Sequence, residues 1–213
     1  MPEPSRLRGR VAEEAARLIQ EQGIDFRQAK HKAADRLGAT QRGALPSNKE
    51  IEQRLIGRQR LFAADHHDRE LNRLRGLALG IMGDLVPFSP RAVGAVINGA
   101  LSPATGIELH LFAGDVESVC GHLDAHGLHW QASSRQFSRR RGQRELIPSL
   151  IVAVEDVVVE LVVFDFNGER QAPLSPIDGR PMQRFSPKKL AALMATELGG
   201  AARGAPALPS GGL

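Results

Sequence analysis

The chain has 213 residues, of which 42% are apolar and 24% are charged, fractions typical of a soluble globular protein. It contains no run of about eighteen apolar residues and no apolar signal core at its start, so we expect a cytoplasmic protein without a membrane partner. The single cysteine, Cys120, excludes an intrachain disulfide and a cysteine-based zinc site. The formal net charge of +4 favours an ordinary solvated surface over a dedicated anion-binding surface.

The first 85 residues predict a helical N-terminal region. Residues 26–37 have helical spacing, and Gly38 predicts the end of that helix. The sequence Ser47-Asn48-Lys49-Glu50 has the form of a capping box, in which Ser and Glu side chains satisfy each other's backbone amides. Apolar residues three and four apart predict an amphipathic helix over residues 71–85.

After residue 85 the pattern changes to strands. Residues 92–97 predict a strand, residues 98–106 a turn-rich segment, and residues 107–113 a second strand with period-two alternation. One face of that second strand carries Ile107, Leu109, Leu111 and Ala113, and the other carries Glu108, His110 and Phe112. Such a corner can bind phosphate and metal or can simply connect two strands, and the residues alone favour the simple connection.

The next segment predicts a helix followed by an edge strand. Asp115 is suited to cap a helix over residues 116–126. Residues 129–137 contain few apolar side chains, which predicts an extended segment at a sheet edge. Residues 138–144 carry four arginines and predict a basic turn, for which an exposed hairpin tip is the favoured interpretation over a phosphate contact.

A hairpin of two apolar strands is predicted over residues 148–164, with its turn at Glu155-Asp156. Glu160 is the one charged residue of its second strand. A carboxylate in so apolar a strand costs free energy unless it is paired, bound to metal or turned to solvent. Glu160 is therefore either a functional carboxylate or a residue of the solvated face of an antiparallel sheet.

These elements predict an α+β fold with a mixed sheet. After the hairpin come a turn-rich loop over residues 167–185 and a last helix over residues 188–198, which Gly199-Gly200 is expected to end. The predicted organisation is a helical N-terminal region (1–85), an α/β core (86–198) and a disordered tail (199–213).

Two further groups of residues in the helical region are candidate binding sites. His66 and His67 are adjacent, and adjacent side chains point apart on a helix, which makes them poor co-ligands of a metal. Arg27 and Lys30-His31-Lys32 form a basic helix face. This face lacks the interleaved aromatic residues of a platform on which nucleic-acid bases stack.

The stretch from Gly94 to Glu108 resembles polymerase-beta-type nucleotidyltransferases. In that family a Gly-Ser turn follows the first strand, and a second Gly, a Pro and an Asp-x-Asp pair follow. Here Gly94 and Ala95 take the place of the Gly-Ser pair, Gly99 that of the second Gly, and Glu108 that of the second Asp. The resemblance implies a nucleotidyltransferase-like mixed sheet core packed with the helical N-terminal region.

The resemblance also implies a set of functional residues. Family members hold two divalent cations with three carboxylates and approach the nucleotide triphosphate with backbone amides of the Gly-rich turn. It implies that Glu108 and Glu160 are catalytic and hold Mg²⁺, and that Gly94, Ala95 and Gly99 lie at a nucleoside triphosphate. The chain departs from the family at Ala95, where the Ser is missing, and at Gly106, where the first carboxylate is missing.

A longer resemblance extends over residues 25–195. It is to bacterial hypothetical proteins described as nucleotidyltransferase-like, and four stretches carry it: AKHKAADRLG (29–38), LPSNKEIE (45–52), LHLFA (109–113) and SPIDGRPM (175–182). Some of these proteins are labelled UDP-N-acetylmuramate–alanine ligase. That label has no support here, because such a ligase needs a Gly-rich ATP loop ending in Lys-Ser/Thr and about twice this length.

Three functions follow as hypotheses. The first is a diverged nucleotidyltransferase-fold protein with lost or weakened transfer activity, which binds a nucleotide or a macromolecular partner. The second is an active Mg²⁺-dependent nucleotidyltransferase that transfers a nucleoside monophosphate to an acceptor. The third is a nucleic-acid-binding or protein-interaction module that uses the basic turn and the basic helix face. The missing first carboxylate favours the first hypothesis over the second.

Overall fold

The computed structural model describes residues 4–39, 43–62, 64–139 and 142–204. It confirms the α+β class: the described residues form seven α-helices and one five-stranded mixed sheet. The α-helices are α1 (Pro4–Gln22), α2 (Phe26–Arg36), α3 (Asn48–Phe62), α4 (Ala64–Asp84), α5 (Ala95–Asn98), α6 (Val116–Ala125) and α7 (Pro187–Gly204). The strands are β1 (Arg91–Val93), β2 (Ile107–Phe112), β3 (Trp130–Ser138), β4 (Arg144–Val154) and β5 (Val157–Phe164). Among the described helices, none combines the length and the apolar character that crossing a bilayer requires.

Helices α1, α2 and α3 share a hydrophobic core of their own, to which Val11, Leu18 and Leu55 contribute fully buried side chains. The predicted capping box at the start of α3 is confirmed. The backbone amide of Glu50 donates to Ser47 Oγ at 3.2 Å, and that of Ser47 donates to Glu50 Oε2 at 2.7 Å. These two bonds satisfy amides that a helix start leaves without partners.

The strand order of the sheet is β1-β2-β5-β4-β3. Strands β2 and β5 are parallel at its centre, and the other neighbouring pairs are antiparallel. The predicted hairpin is confirmed, since Val154 pairs with Val157 across the two-residue turn Glu155-Asp156. Glu155 has a φ of 54°, as tight two-residue hairpin turns require. The predicted edge strand is confirmed as β3.

A second hydrophobic core lies on one face of the sheet. Leu109 of β2 and Leu161 of β5 meet side chains of α4, α6 and α7 there. Helix α4 belongs to this core, because Leu74 and Met82 are buried in it. The first 85 residues are therefore divided between two cores. The opposite face of the sheet carries a smaller buried hydrophobic cluster, formed by Phe112, Phe137, Ile147, Val162 and Phe164, and beside it the polar cluster of the candidate site.

Two elements differ from the sequence-based expectation. The strand predicted over residues 92–97 is wrong beyond Val93, because Gly94 takes a φ of 67° and α5 begins at the next residue. Helix α7 continues through Gly199-Gly200 to Gly204, since a glycine costs only about 1 kcal/mol inside a helix and does not by itself end one. Of the predicted tail, residues 205–213 lie outside the described part of the chain.

Candidate functional site

The parallel pairing of β2 with β5 brings the two predicted carboxylates together. Glu108 and Glu160 are direct partners in the register of the two strands. Partners in a sheet place their side chains on the same face, so both carboxylates lie on the face opposite the main core. The Glu108 and Glu160 side chains are 16% and 23% exposed, which means that most of each has been removed from water.

An arginine from the edge strand joins the two carboxylates. Arg135 Nη1 donates to Glu108 Oε2 at 2.7 Å and to Glu160 Oε2 at 2.8 Å. Burial works against the charge of Arg135, but the two carboxylates outweigh burial and hold its pKa above the ordinary value. Burial likewise opposes ionisation of Glu108, yet the bonds from His110 and Arg135 lower its pKa. Glu108 and Arg135 therefore form an ion pair, and the same guanidinium also hydrogen-bonds to Glu160.

His110 extends the cluster along β2. Its side chain is completely buried, with Nε2 3.1 Å from Glu108 Oε1 and Nδ1 2.8 Å from Nε of Arg184. An arginine nitrogen can only donate, so Nδ1 accepts and the ring proton lies on Nε2, which donates to Glu108. Burial, with repulsion from Arg184 and Arg135, lowers the pKa of His110 despite the attraction of Glu108. His110 is thus a neutral bridge between a cation and an anion.

Arg184 comes from the turn-rich loop after β5. Its Nη1 donates to the carbonyl of Gly168 at 2.6 Å, and its guanidinium lies over the rings of Phe112 and Phe164, 5.1 and 4.8 Å from their centroids. Burial, with repulsion from Arg139 and Arg91, lowers the pKa of Arg184 to about 10. The loop thereby covers the phenylalanine end of this sheet face and leaves the Glu108–Glu160 end more open.

Of the predicted Gly-rich turn (Gly94 to Gly99), only the first glycine lies next to Glu108. Val93 is the register partner of Glu108, so Gly94 follows immediately beyond that pair and Ala95 begins α5. Gly99 ends α5 in the left-handed conformation, and a Cβ there would meet side chains of α4. Gly94 therefore lies one residue beyond the backbone partner of Glu108, whereas Gly99 lies against α4.

The residues present do not fit the two-cation site that the resemblance implies. A Cβ at Gly106, the position of the missing first carboxylate, would overlap the carbonyl oxygen of Val158. The two remaining carboxylates already share one guanidinium, which repels a dication. In the described part of the chain, no group of three or more His, Cys, Asp or Glu side chains is arranged to hold a metal ion.

The other candidate binding residues from the sequence that the structure describes, in the histidine pair, the basic turn and the basic helix face, do not join the Glu108–Glu160 cluster. His66 is exposed, whereas His67 is buried and places Nε2 2.8 Å from the carbonyl of Gly99. In the basic turn, Arg139 is paired with Glu145 at 2.6 Å, and residues 140 and 141 lie outside the described chain. On the basic helix face, burial lowers the pKa of Lys30.

Sequence reasoning missed two of the residues that complete the cluster, Arg135 and Arg184. Arg135 lies in a segment for which the sequence predicts only an edge strand. Arg135 and Phe137 are two residues apart in that strand, which indicates that their side chains lie on the same face of the sheet. Arg184 lies in an irregular loop, where no periodic signal exists. His110 lies on the same face as Glu108 in the sequence pattern, but its other partner, Arg184, comes from that loop. Comparison with protein-family models and with curated proteins finds no match for this chain.

Proposed function

We propose that this chain is a diverged nucleotidyltransferase-like protein that has lost or weakened transfer chemistry and acts by binding a nucleotide or a macromolecular partner. The observation that carries the proposal is the Arg135 bridge. Its guanidinium hydrogen-bonds to both carboxylates, the groups with which an active relative would hold Mg²⁺. The mixed sheet, with Gly94 next to Glu108, supports the likeness of fold.

The bridge opposes metal binding for a physical reason. A Mg²⁺ ion needs ionised oxygen ligands in near-octahedral geometry, and it gives up its water reluctantly. Here it would have to displace a guanidinium that hydrogen-bonds to both carboxylates, or bind beside a positive charge. Gly106 offers no room for a further acid without a shift of the strand. Each of these features favours a site in which the carboxylates have a structural role.

The test replaces the bridging cation. We expect Mg²⁺ to leave the thermal midpoint of the wild type unchanged and to raise that of Arg135→Met, because two unpaired carboxylates then face each other and a dication relieves their repulsion. Arg135→Met should also have a lower midpoint than the wild type in the absence of metal. Arg144→Met is the matched control, since Arg144 is exposed at the start of β4.

The active alternative predicts the opposite pattern. If Arg135 moved aside when substrate bound, a nucleoside triphosphate with Mg²⁺ would raise the wild-type midpoint, and Glu108→Gln would abolish that rise. Measuring the four nucleoside triphosphates with and without Mg²⁺ on both proteins separates the cases. A Mg²⁺-independent rise supports nucleotide binding without transfer, and no rise with any triphosphate supports a macromolecular partner.

A further inference from the structure

A second site lies between the two hydrophobic cores, away from the Arg135 bridge. It is an open cavity of about 510 Å³ lined by α3, α4, the turn before β2 and the start of β5. That volume lies within the range of small-molecule pockets, which commonly form where two packing units meet. Its apolar lining includes Leu74, Leu101 and Val157, all of them buried.

The lining includes a buried amide with an unused acceptor. Gln59 is 5% exposed, and its Nε2 donates to the carbonyl of Leu101. Its Oε1 is buried and has no hydrogen-bond partner among the described residues. An unpaired buried carbonyl costs free energy, so a ligand that donates an N–H to this atom gains more than a ligand that cannot.

The exposed part of the lining is acidic. Arg73 lies 3.0 Å from Glu70, 2.9 Å from Asp156 and 3.6 Å from Glu155, so one guanidinium faces three carboxylates. Arg58, which donates to Gln20 of the same cavity, is paired with Glu13 at 2.9 Å. The excess of carboxylates around Arg73 attracts cations and repels phosphate or carboxylate groups.

We infer that this cavity binds a small planar organic cation of the amidinium class, which donates an N–H to Gln59 Oε1 and carries its charge toward the Glu70–Asp156 side. The apolar lining receives the body of the ligand. This binding site is separate from the proposed function of the Arg135 cluster and does not depend on it.

The test uses three probes of nearly equal shape and different charge. Benzamidine is a cation with N–H donors, benzamide is neutral with N–H donors, and benzoate is an anion without them. We expect ligand-observed NMR to give the affinity order benzamidine, benzamide, benzoate, with dissociation constants in the millimolar range that so few atoms permit. Equal binding of benzoate and benzamidine, or no binding of benzamidine at millimolar concentration, would overturn the inference.

Substitutions locate the binding. Gln59→Met removes the acceptor at nearly constant side-chain volume. It should weaken the binding of benzamidine and of benzamide about three- to tenfold, the net contribution of one hydrogen bond. Asp156→Asn should reduce the preference for benzamidine over benzamide.

Ala104→Trp, at an exposed position of the lining, should block the binding of all three probes without changing the core. Gln131→Met on the exposed edge strand is the control. Benzamidine binding that survives both Gln59→Met and Ala104→Trp would place the probe elsewhere.

Discussion

Gly106 is the residue where the chain departs most sharply from an active nucleotidyltransferase-like site. A Cβ at this position would overlap the carbonyl oxygen of Val158, which belongs to the neighbouring strand β5. We expect Gly106→Ala and Gly106→Asp each to lower the free energy of unfolding by about 1–3 kcal/mol, as overpacking typically does. Urea unfolding measures this loss.

Two controls separate sterics from charge at that position. Gly57→Ala introduces the same methyl group inside α3 where nothing lies within 4 Å, and it should stabilise the protein by about 0.5–1 kcal/mol. Gly106→Asp should also fail to gain a Mg²⁺ response, because Arg135 still occupies the carboxylates. An unchanged free energy of unfolding in Gly106→Ala would contradict the steric explanation. A rise of the thermal midpoint with Mg²⁺ in Gly106→Asp would contradict the role given to Arg135.

At the residue scale the sequence predicted the carboxylates but not their partners. Glu108 and Glu160 were identifiable because each is an acid in a strongly patterned strand. Arg135 could not be assigned to them, since its position depends on the order of strands β5, β4 and β3 in the sheet. Strand order is a long-range property that local patterns do not encode. The catalytic roles of the two acids therefore stay predictions.

At the scale of elements, the start of α3 is tied to α1 by one carboxylate. Glu50 accepts from Arg8 at 2.9 and 2.7 Å and also from Ser47. The bond from Arg8, with those from Ser47, outweighs burial and lowers the pKa of Glu50 from 4.5 to about 2. We expect Glu50→Gln to lower the thermal midpoint at pH 7 by about 1–3 °C, because a Gln can still accept from the Ser47 amide but loses the ionic part of the partly exposed Arg8 pair.

The sign of the pH dependence follows from the lowered pKa. A carboxyl group that ionises more readily in the folded state stabilises that state above pH 4.5, and the stabilisation is lost as the pH falls toward 2. The midpoint difference between wild type and Glu50→Gln should therefore be constant near neutrality and shrink between pH 4.5 and 2. A difference independent of pH would exclude the ionic contribution.

Elements with strong local signals were the ones that the sequence predicted well. The capping box before α3, the Asp115 cap of α6 and the Glu155-Asp156 turn are all confirmed. The end of α7 was predicted wrongly because glycine was interpreted as a stop, although its cost in a helix is modest. The short helix α5 was missed, since its four residues are apolar and also suit a strand.

At the scale of the whole molecule, three side chains of α3 form hydrogen bonds between the core of α1–α3 and the part of the chain that contains the sheet. Gln59 reaches the carbonyl of Leu101, Glu52 accepts from Asn98 at 2.7 Å, and Asn48 donates to the carbonyl of Pro176 at 2.8 Å. The net contribution of each hydrogen bond to stability is about 1 kcal/mol, which is less than that of burying one large apolar side chain. We therefore expect the helices α1–α3 to open while the sheet core remains folded.

This separation predicts how core substitutions act. Leu55 of α3 and Leu161 of β5 are each 1% exposed, and replacing either by alanine should cost about 2–5 kcal/mol in its own core. We expect Leu55→Ala to speed hydrogen exchange of the amides of α1–α3 while those of β2 and β5 keep their protection, because local opening follows cooperative units. Leu161→Ala should speed exchange in β2 and β5. If Leu55→Ala lowered protection equally in helices and sheet, the chain would be one cooperative unit, and the polar contacts of α3 would couple the cores more strongly than their number suggests.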